Sequence, residues 1–274
     1  MRLPKVEGRR LDEGDSIRSR PTYRVLNEFR EWYRGYESAH LEYDSPEGET
    51  VRTPLENSYQ PEYANRYYAR LKAFEREVKR QYESLTTAML TFSASHENAN
   101  GNPRCPADHM REIADGWDTA RKLLHKVLSG REWEYVRIWE PHQDGYGHLH
   151  VGIFVEGGVD AVEFEPVMET YVNRVKSAGT KAHTNDPCSD HMGGGSDRWD
   201  SVEGGCGDCH APVSVNSDVS NLGTYLSEYL GAYGEPVTDR PVYQQVFYAV
   251  TWATNTRRLD FSNGAQRLIE LDEF

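Results

Sequence analysis

The chain has 274 residues, a formal net charge of −13 and a mean hydropathy of −0.78. This length fits one good-sized domain or a domain with additions. No apolar run approaches the roughly 18 residues of a membrane span, and the charged start lacks the apolar core of a secretory signal. We therefore expect a soluble, cytoplasmic protein without a membrane partner.

The charge comes from 44 acidic against 31 basic residues, and few of the basic residues are lysines. An acidic, lysine-poor surface is typical of proteins from a very salty cytoplasm, where the Debye length falls to about 3 Å. The alternative is an ordinary acidic cytosolic protein. Acidity alone argues against a nucleic-acid partner. At high salt that argument loses force, because counterion release then contributes little binding energy.

In chain order, a charged lead-in (1–20) precedes a helix at about 22–40, a loop rich in Pro, Gly and Glu to about residue 60, and a helix at 61–84. The run TTAMLTFSAS at 86–95 alternates like a strand, with Thr91 and Ser93 facing away from the core. The next predicted elements are a helix at 109–128, strands at 132–140 and 148–155, a helix at 163–178, a short strand at 212–217, a helix at 221–234 and a final helix at 241–253.

These elements do not alternate in a βαβ pattern, so the predicted class is α+β with a central antiparallel sheet flanked by helices. We divide the chain into three segments. They are a helical N-terminal extension at 1–85, a core at 86–235 with a Cys/His-rich insertion at about 180–212, and a C-terminal helix and tail at 236–274.

The stretch WEPHQDGYGHLHVGIFV at 139–155 places two histidines one residue apart in an apolar run. Side chains alternate across a strand, so His148 and His150 share one face. The turn-rich PHQDGYG predicts a hairpin that brings Glu140 beside them. Two imidazoles and a carboxylate with open positions suit Mg²⁺ or Mn²⁺. The alternative is an accidental His-x-His, which is unremarkable among ten histidines.

Three of the four cysteines lie in two short pairs around a glycine-rich loop. Cys188-x2-His191 and Cys206-x2-Cys209 have the spacing of a structural Zn²⁺ site, and His210 could replace His191 or Cys209. Such a metal would supply folding energy to a loop with few apolar residues. The alternative is a flexible loop with reduced thiols. Cys105 with His109 is a far weaker pair.

The His-x-His strand resembles the second motif of the HUH endonucleases, and Glu140, His148 and His150 resemble the ligand set of their rolling-circle replication initiators (Rep). MLTFSAS at 89–95 is loosely similar to the first motif. GTYLSEYLGAYG is similar to the third, with Tyr225 and Tyr229 one helical turn apart. The family usually has a lysine three residues after the first tyrosine, where this chain has Glu228.

The resemblance implies an HUH/ferredoxin-like catalytic fold and an initiator of the type found on plasmids or viruses of halophilic archaea. Such an enzyme nicks and rejoins single-stranded or hairpin origin DNA through a 5′-phosphotyrosine made by Tyr225, with Tyr229 for a second cut. Thr91 and Ser93 are candidate DNA contacts. No GxxxxGK[ST] loop occurs in the chain, so helicase and polymerase would come from the host.

Three alternatives stay open. The first is an HUH-type single-strand DNA transposase, which is typically smaller and lacks a long N-terminal portion. The second is a metal-dependent hydrolase with His183 and Asp190 as further ligands. The third is a zinc-bearing DNA-binding protein without catalysis, in which His148 and His150 are incidental.

Overall fold

The computed structural model describes residues 5–8, 18–179, 181–183, 213–216 and 235–272. It confirms an α+β class with an antiparallel sheet between helices. In chain order the elements are β1 (Lys5–Gly8), β2 (Arg18–Pro21), α1 (Thr22–Glu37), β3 (His40–Asp44), β4 (Thr50–Pro54), α2 (Pro61–Gln81), β5 (Leu85–Phe92), α3 (Pro106–Val127), β6 (Trp133–Pro141), β7 (Gly147–Glu156), α4 (Glu165–Arg174), β8 (Val213–Asn216), α5 (Val242–Ala253), β9 (Leu259–Phe261) and α6 (Asn263–Asp272).

The central sheet has the strand order β8–β5–β7–β6–β9, with antiparallel pairing between all neighbours. Its longest ladder joins β6 to β7, from the Trp133–Val155 pair to the Pro141–Gly147 pair. β7 lies in the middle of the sheet and is buried at every position before Glu156. A strand covered on both faces reads as a nearly continuous apolar run, so the polar residues within β7 stand out.

Alternation along β7 divides its side chains between two apolar clusters, one on each face of the sheet. Leu149 and Val151 pack in the larger cluster with α1, α3, α4 and α5. Phe154 faces the other way, toward α2 and α6, and meets Phe74 of α2 edge-on with ring centroids 4.7 Å apart. The helices of the segment 1–85 therefore lie directly on the sheet. In the described part of the chain, no helix is long and apolar enough to cross a bilayer.

Two further hairpins occur where the sequence predicted no strands. β1 pairs with β2 in the segment predicted as a lead-in, and β3 pairs with β4 in the segment predicted as a loop. Those predictions were wrong because backbone pairing does not need an apolar pattern. All five residues of β3 are solvent-exposed, so period-two alternation in hydropathy is absent there.

The C-terminal tail also differs from its prediction. The helix at 241–253 was predicted to be the last one, but β9 and α6 follow it. β9 has three residues, and only Leu259 and Phe261 carry an alternating signal, which is too short for recognition from sequence. The other predicted elements in the described ranges are found, with ends shifted by a few residues. The helix predicted at 221–234 lies outside these ranges.

Gly116 gives a test of the packing between α3 and α4. A Cβ at this position would lie 2.3 Å from Val175 Cγ2 and 2.6 Å from the buried ring of Tyr171. We expect Gly116→Ala to destabilise the fold by about 1–2 kcal/mol, because overpacking outweighs the better helix propensity of alanine. Denaturant unfolding at fixed KCl concentration measures the effect.

Gly35 in α1 is the matched control, since a Cβ there meets no atom of the described residues within 4 Å. Gly35→Ala should stabilise by up to about 1 kcal/mol through helix propensity alone. Equal effects of the two substitutions would contradict the packing assigned to α3 and α4.

Candidate metal centre

One carboxylate and two imidazoles converge at the end of the β6–β7 hairpin. Glu140 pairs with His148 and Ile138 pairs with His150, so Glu140 and both histidines project from the same face. Glu140 Oε2 lies 2.7 Å from His148 Nε2 and 2.6 Å from His150 Nε2, and the two Nε2 atoms are 2.8 Å apart. Among the described residues, this is the one group of three whose ligand atoms lie close enough to share a cation.

The turn between the strands fixes this arrangement. The His142 N–H donates to the Tyr146 carbonyl at 2.7 Å, and the Gly145 N–H donates to the His142 carbonyl at 2.9 Å. Gly145 has a φ of +87°, which favours glycine, and a Cβ there would lie 2.9 Å from Val246 Cγ1 of α5. The turn is thus seated against α5, which holds the register of β6 on β7.

Burial and hydrogen bonding together set the charge of the cluster. Burial by itself raises the pKa of Glu140, but the hydrogen bonds and charges of His148 and His150 outweigh it and lower that pKa to about 2. Burial lowers the pKa of His148, against the opposing effect of Glu140. The resulting set is an ionised carboxylate beside an imidazole that favours its neutral form. Neutral imidazole and carboxylate are the ligand forms that a divalent cation binds.

Thr91 on the neighbouring strand β5 orients one imidazole. It pairs with His150 in the sheet, and its Oγ1 lies 3.0 Å from His150 Nδ1. A proton on Nδ1, donated to this hydroxyl, leaves the Nε2 lone pair facing the cluster. His148 Nδ1 is buried and has no hydrogen-bond partner in the part of the chain that the structure describes. The ring of His142 lies beside that of His148, with centroids 4.2 Å apart.

The two predicted DNA contacts have other partners in the structure. Thr91 is partly buried and bonds to His150, a role that the sequence did not reveal because it depends on β5 lying next to β7. Ser93 lies just beyond β5 and its N–H donates to His183 Nε2 at 3.1 Å. His183 Nδ1 in turn bonds to the Gly179 carbonyl at 2.8 Å. Contact of Thr91 and Ser93 with DNA stays a prediction.

The remaining predicted site residues fall outside the described ranges. They are Cys188, Asp190, His191, Cys206, Cys209, His210, Tyr225, Glu228 and Tyr229. Their metal-binding and nucleophilic roles therefore stay predictions. Of the weaker pair, Cys105 is half-buried and His109 donates from Nε2 to the Ala94 carbonyl at 3.0 Å. The described residues give that pair no third ligand.

The sequence places the chain in a family of replication proteins. A family profile with the description "Putative rep protein (DUF1424)" matches residues 5–273, so the chain belongs to that family. This membership supports the predicted class of replication initiators, and it does not by itself establish an HUH mechanism.

Two proteins from Halobacterium are similar to this chain over most of its length. An "Uncharacterized 36 kDa protein" of Halobacterium salinarum is 34% identical over 252 residues, which cover 91% of this chain and 76% of the relative. A protein of the same name from Halobacterium sp. (strain GN101) is 31% identical over 274 residues, covering 94% of this chain and 78% of the relative. The organisms of these two relatives support the halophilic setting that the composition predicted. No solved structure matches the chain.

Removal of the Thr91 hydroxyl tests its role beside His150. We expect Thr91→Val to weaken Mn²⁺ binding by about 10- to 100-fold, because the imidazole loses the partner that holds its tautomer and orientation. Isothermal titration of the purified protein with Mn²⁺ measures this. Thr91→Ser retains a hydroxyl and should bind within about threefold of the wild type. If both variants bind like the wild type, the positioning role is wrong.

The pH dependence of metal binding follows from the charges of the cluster. Mn²⁺ affinity should be nearly constant from about pH 8 to about 6.5, the ordinary pKa of histidine, and should fall at lower pH as protons compete for the imidazole of His148. Burial lowers the pKa of His148, which places its protonation below that ordinary value. Glu140 has a pKa of about 2 and stays ionised throughout. A loss of affinity centred above pH 6.5 would contradict this assignment.

Proposed function

We propose that this protein initiates rolling-circle replication by nicking and rejoining single-stranded origin DNA at a divalent metal ion. The observation that carries the proposal is the convergence of Glu140, His148 and His150 within 2.8 Å of one another on one strand hairpin. Membership of a replication-protein family supports the same conclusion from the whole sequence.

Each group of the cluster has a definable task. Glu140, His148 and His150 would hold Mg²⁺ or Mn²⁺, which as a Lewis acid polarises the scissile phosphate. Glu140 supplies the fixed negative charge that attracts the cation. Thr91 keeps the proton of His150 on Nδ1 and so keeps its Nε2 available. The two imidazoles are buried, which excludes water from one side of the site.

The proposed nucleophile is Tyr225. Its phenolic oxygen attacks phosphorus while the bond from phosphorus to the 3′ oxygen breaks, giving a 5′-phosphotyrosine and a free 3′-hydroxyl. The phenol loses its proton to solvent, and the leaving 3′ oxygen takes one up. Tyr229, four residues later on the predicted helix, would lie one turn away and make the second cut. The energy of the phosphodiester is kept in the protein–DNA bond, which permits rejoining.

The protein would also need a second metal site and host enzymes. Cys188, His191, Cys206 and Cys209 would bind a structural Zn²⁺ just before the tyrosine helix, where the metal orders a glycine-rich segment. Helicase and polymerase would be supplied by the host and would act at the strand opened by the nick. The hydrolase alternative gains no support from His183, because both of its ring nitrogens bond to the backbone.

The decisive experiment uses short single strands that tile the replicon carrying this gene, each labelled at either the 5′ or the 3′ end. With Mn²⁺ at high KCl concentration, we expect a covalent adduct that retains only the 3′ label. The released 5′-labelled fragment should end in a 3′-hydroxyl that a polymerase extends. Denaturing electrophoresis resolves both products.

Three variants define the outcome. Tyr225→Phe and His150→Ala should each reduce adduct formation by at least about 100-fold, since one removes the nucleophile and the other a metal ligand. Tyr23→Phe, at an exposed position on α1, is the control and should leave it unchanged. Cleavage without an adduct would indicate a hydrolase, and binding without cleavage a DNA-binding protein.

A further inference from the structure

A cavity of about 510 Å³ lies between α1, the start of α2 and the turn that joins α5 to β9. Its volume falls in the range of roughly 300–1,000 Å³ that is usual for small-ligand pockets. We call it the aromatic cleft. The side chains that matter most for its chemistry are Trp32, Tyr59, Tyr63, Trp252, Arg257 and Arg258.

Flat rings form one wall of the aromatic cleft. Trp32 and Trp252 lie with centroids 5.6 Å apart and planes inclined by 39°, and Tyr59 meets Trp32 edge-on at 5.8 Å. Tyr59 is buried, whereas the two indoles remain partly exposed. Exposed ring faces held rigidly by neighbours provide stacking surfaces for nucleobases, whatever the base sequence.

Guanidinium groups form the other wall. The Arg257 side chain is 68% exposed and pairs at 3.0 Å with Asp260, which also binds Arg137 at 3.0 Å. Arg258 is buried, and its guanidinium carbon lies 5.0 Å from the centroid of Tyr59. Among the described residues, those that line the cleft include no Asp or Glu. In a chain with a net charge of −13, this locally basic lining favours an anionic ligand.

The cleft adjoins the metal centre through the sheet. Leu259 pairs with Ile138, which pairs with His150. The Trp139 N–H donates to the Arg258 carbonyl at 2.8 Å, so the antiparallel register continues one residue beyond β9. Arg258 and Leu259 of the cleft lining therefore lie opposite Trp139 and Ile138, next to Glu140 on β6. The cleft therefore lies beside the strand that carries Glu140.

We propose that the aromatic cleft binds one unpaired nucleotide of the DNA strand next to the scissile phosphate. The base stacks on Trp32 and Trp252, and the backbone phosphate binds Arg257. That the bound strand is the one to be nicked rests on the proposed function, but the cleft itself is defined without reference to Tyr225 and Tyr229. Bases must be unpaired to enter it, so the cleft selects single-stranded over duplex DNA.

The test measures binding of fluorescent oligothymidine by full-length protein in chelator, so that no metal-dependent cleavage occurs. Arg257→Ala should weaken binding about 3- to 10-fold and reduce the slope of log affinity against log salt by about 0.7. Trp252→Ala should weaken it about 10-fold, and Trp252→Phe, which keeps a stacking ring, by less than about threefold. Unfolding curves of each variant verify that it is folded.

Arg52→Ala is the matched control for charge. Arg52 is also 68% exposed and also paired with one carboxylate, that of Glu42, but it lies on the β3–β4 hairpin away from the cleft. Its substitution should change the affinity by less than about twofold. Equal effects of Arg52→Ala and Arg257→Ala would overturn the proposal.

Two further outcomes separate the cleft from the proposed function. If the wild type forms the tyrosine adduct but Arg257→Ala and Trp252→Ala bind oligothymidine normally, the cleft assignment alone is wrong. If the variants lose binding but no adduct ever forms, the cleft stands and the nicking function is wrong. Competition by thymidine 5′-monophosphate as strong as that by oligothymidine would overturn the assignment to a DNA strand, because the ligand would then be a free nucleotide.

Discussion

The pairing of Glu140 with His148 in the β6–β7 ladder is the constraint on which the candidate site depends. Because side chains alternate along a strand, a slip of one residue would move the carboxylate to the opposite face from the imidazoles. The turn prevents this slip. Gly145 adopts a left-handed conformation and approaches Val246 so closely that a larger residue would push the turn away from α5.

One face of the sheet serves both stability and chemistry. Phe154 and Ile138 are buried under α2 and α6, whereas Glu140 and both histidines occupy the far end of the same face. The apolar part fixes the strands, and the strands in turn fix the polar groups without help from a flexible loop. Thr91 extends this arrangement to a third strand, since its hydroxyl bonds to His150. Rigid strands are well suited to hold ligands for a cation.

The charge of the protein limits how it can hold DNA. With 44 acidic residues, most of the surface repels a phosphate backbone at low salt, and at high salt the attraction to arginine is screened within about 3 Å. Stacking on aromatic rings and coordination to a metal are much less sensitive to salt. The roles proposed for the aromatic cleft and the metal centre rest on these two kinds of interaction, which fits a replication protein in a halophilic setting.

The sequence by itself determined the β6–β7 hairpin and the shared face of Glu140, His148 and His150, because both follow from alternation and turn residues within 20 positions. Only the tertiary structure placed Thr91 beside His150 and Arg258 beside Trp139 of β6. It also revealed the exposed β3–β4 hairpin, which has no apolar pattern. These features depend on pairing between strands far apart in sequence, and the order of strands in a sheet is set by the packing of the whole chain rather than by any local signal.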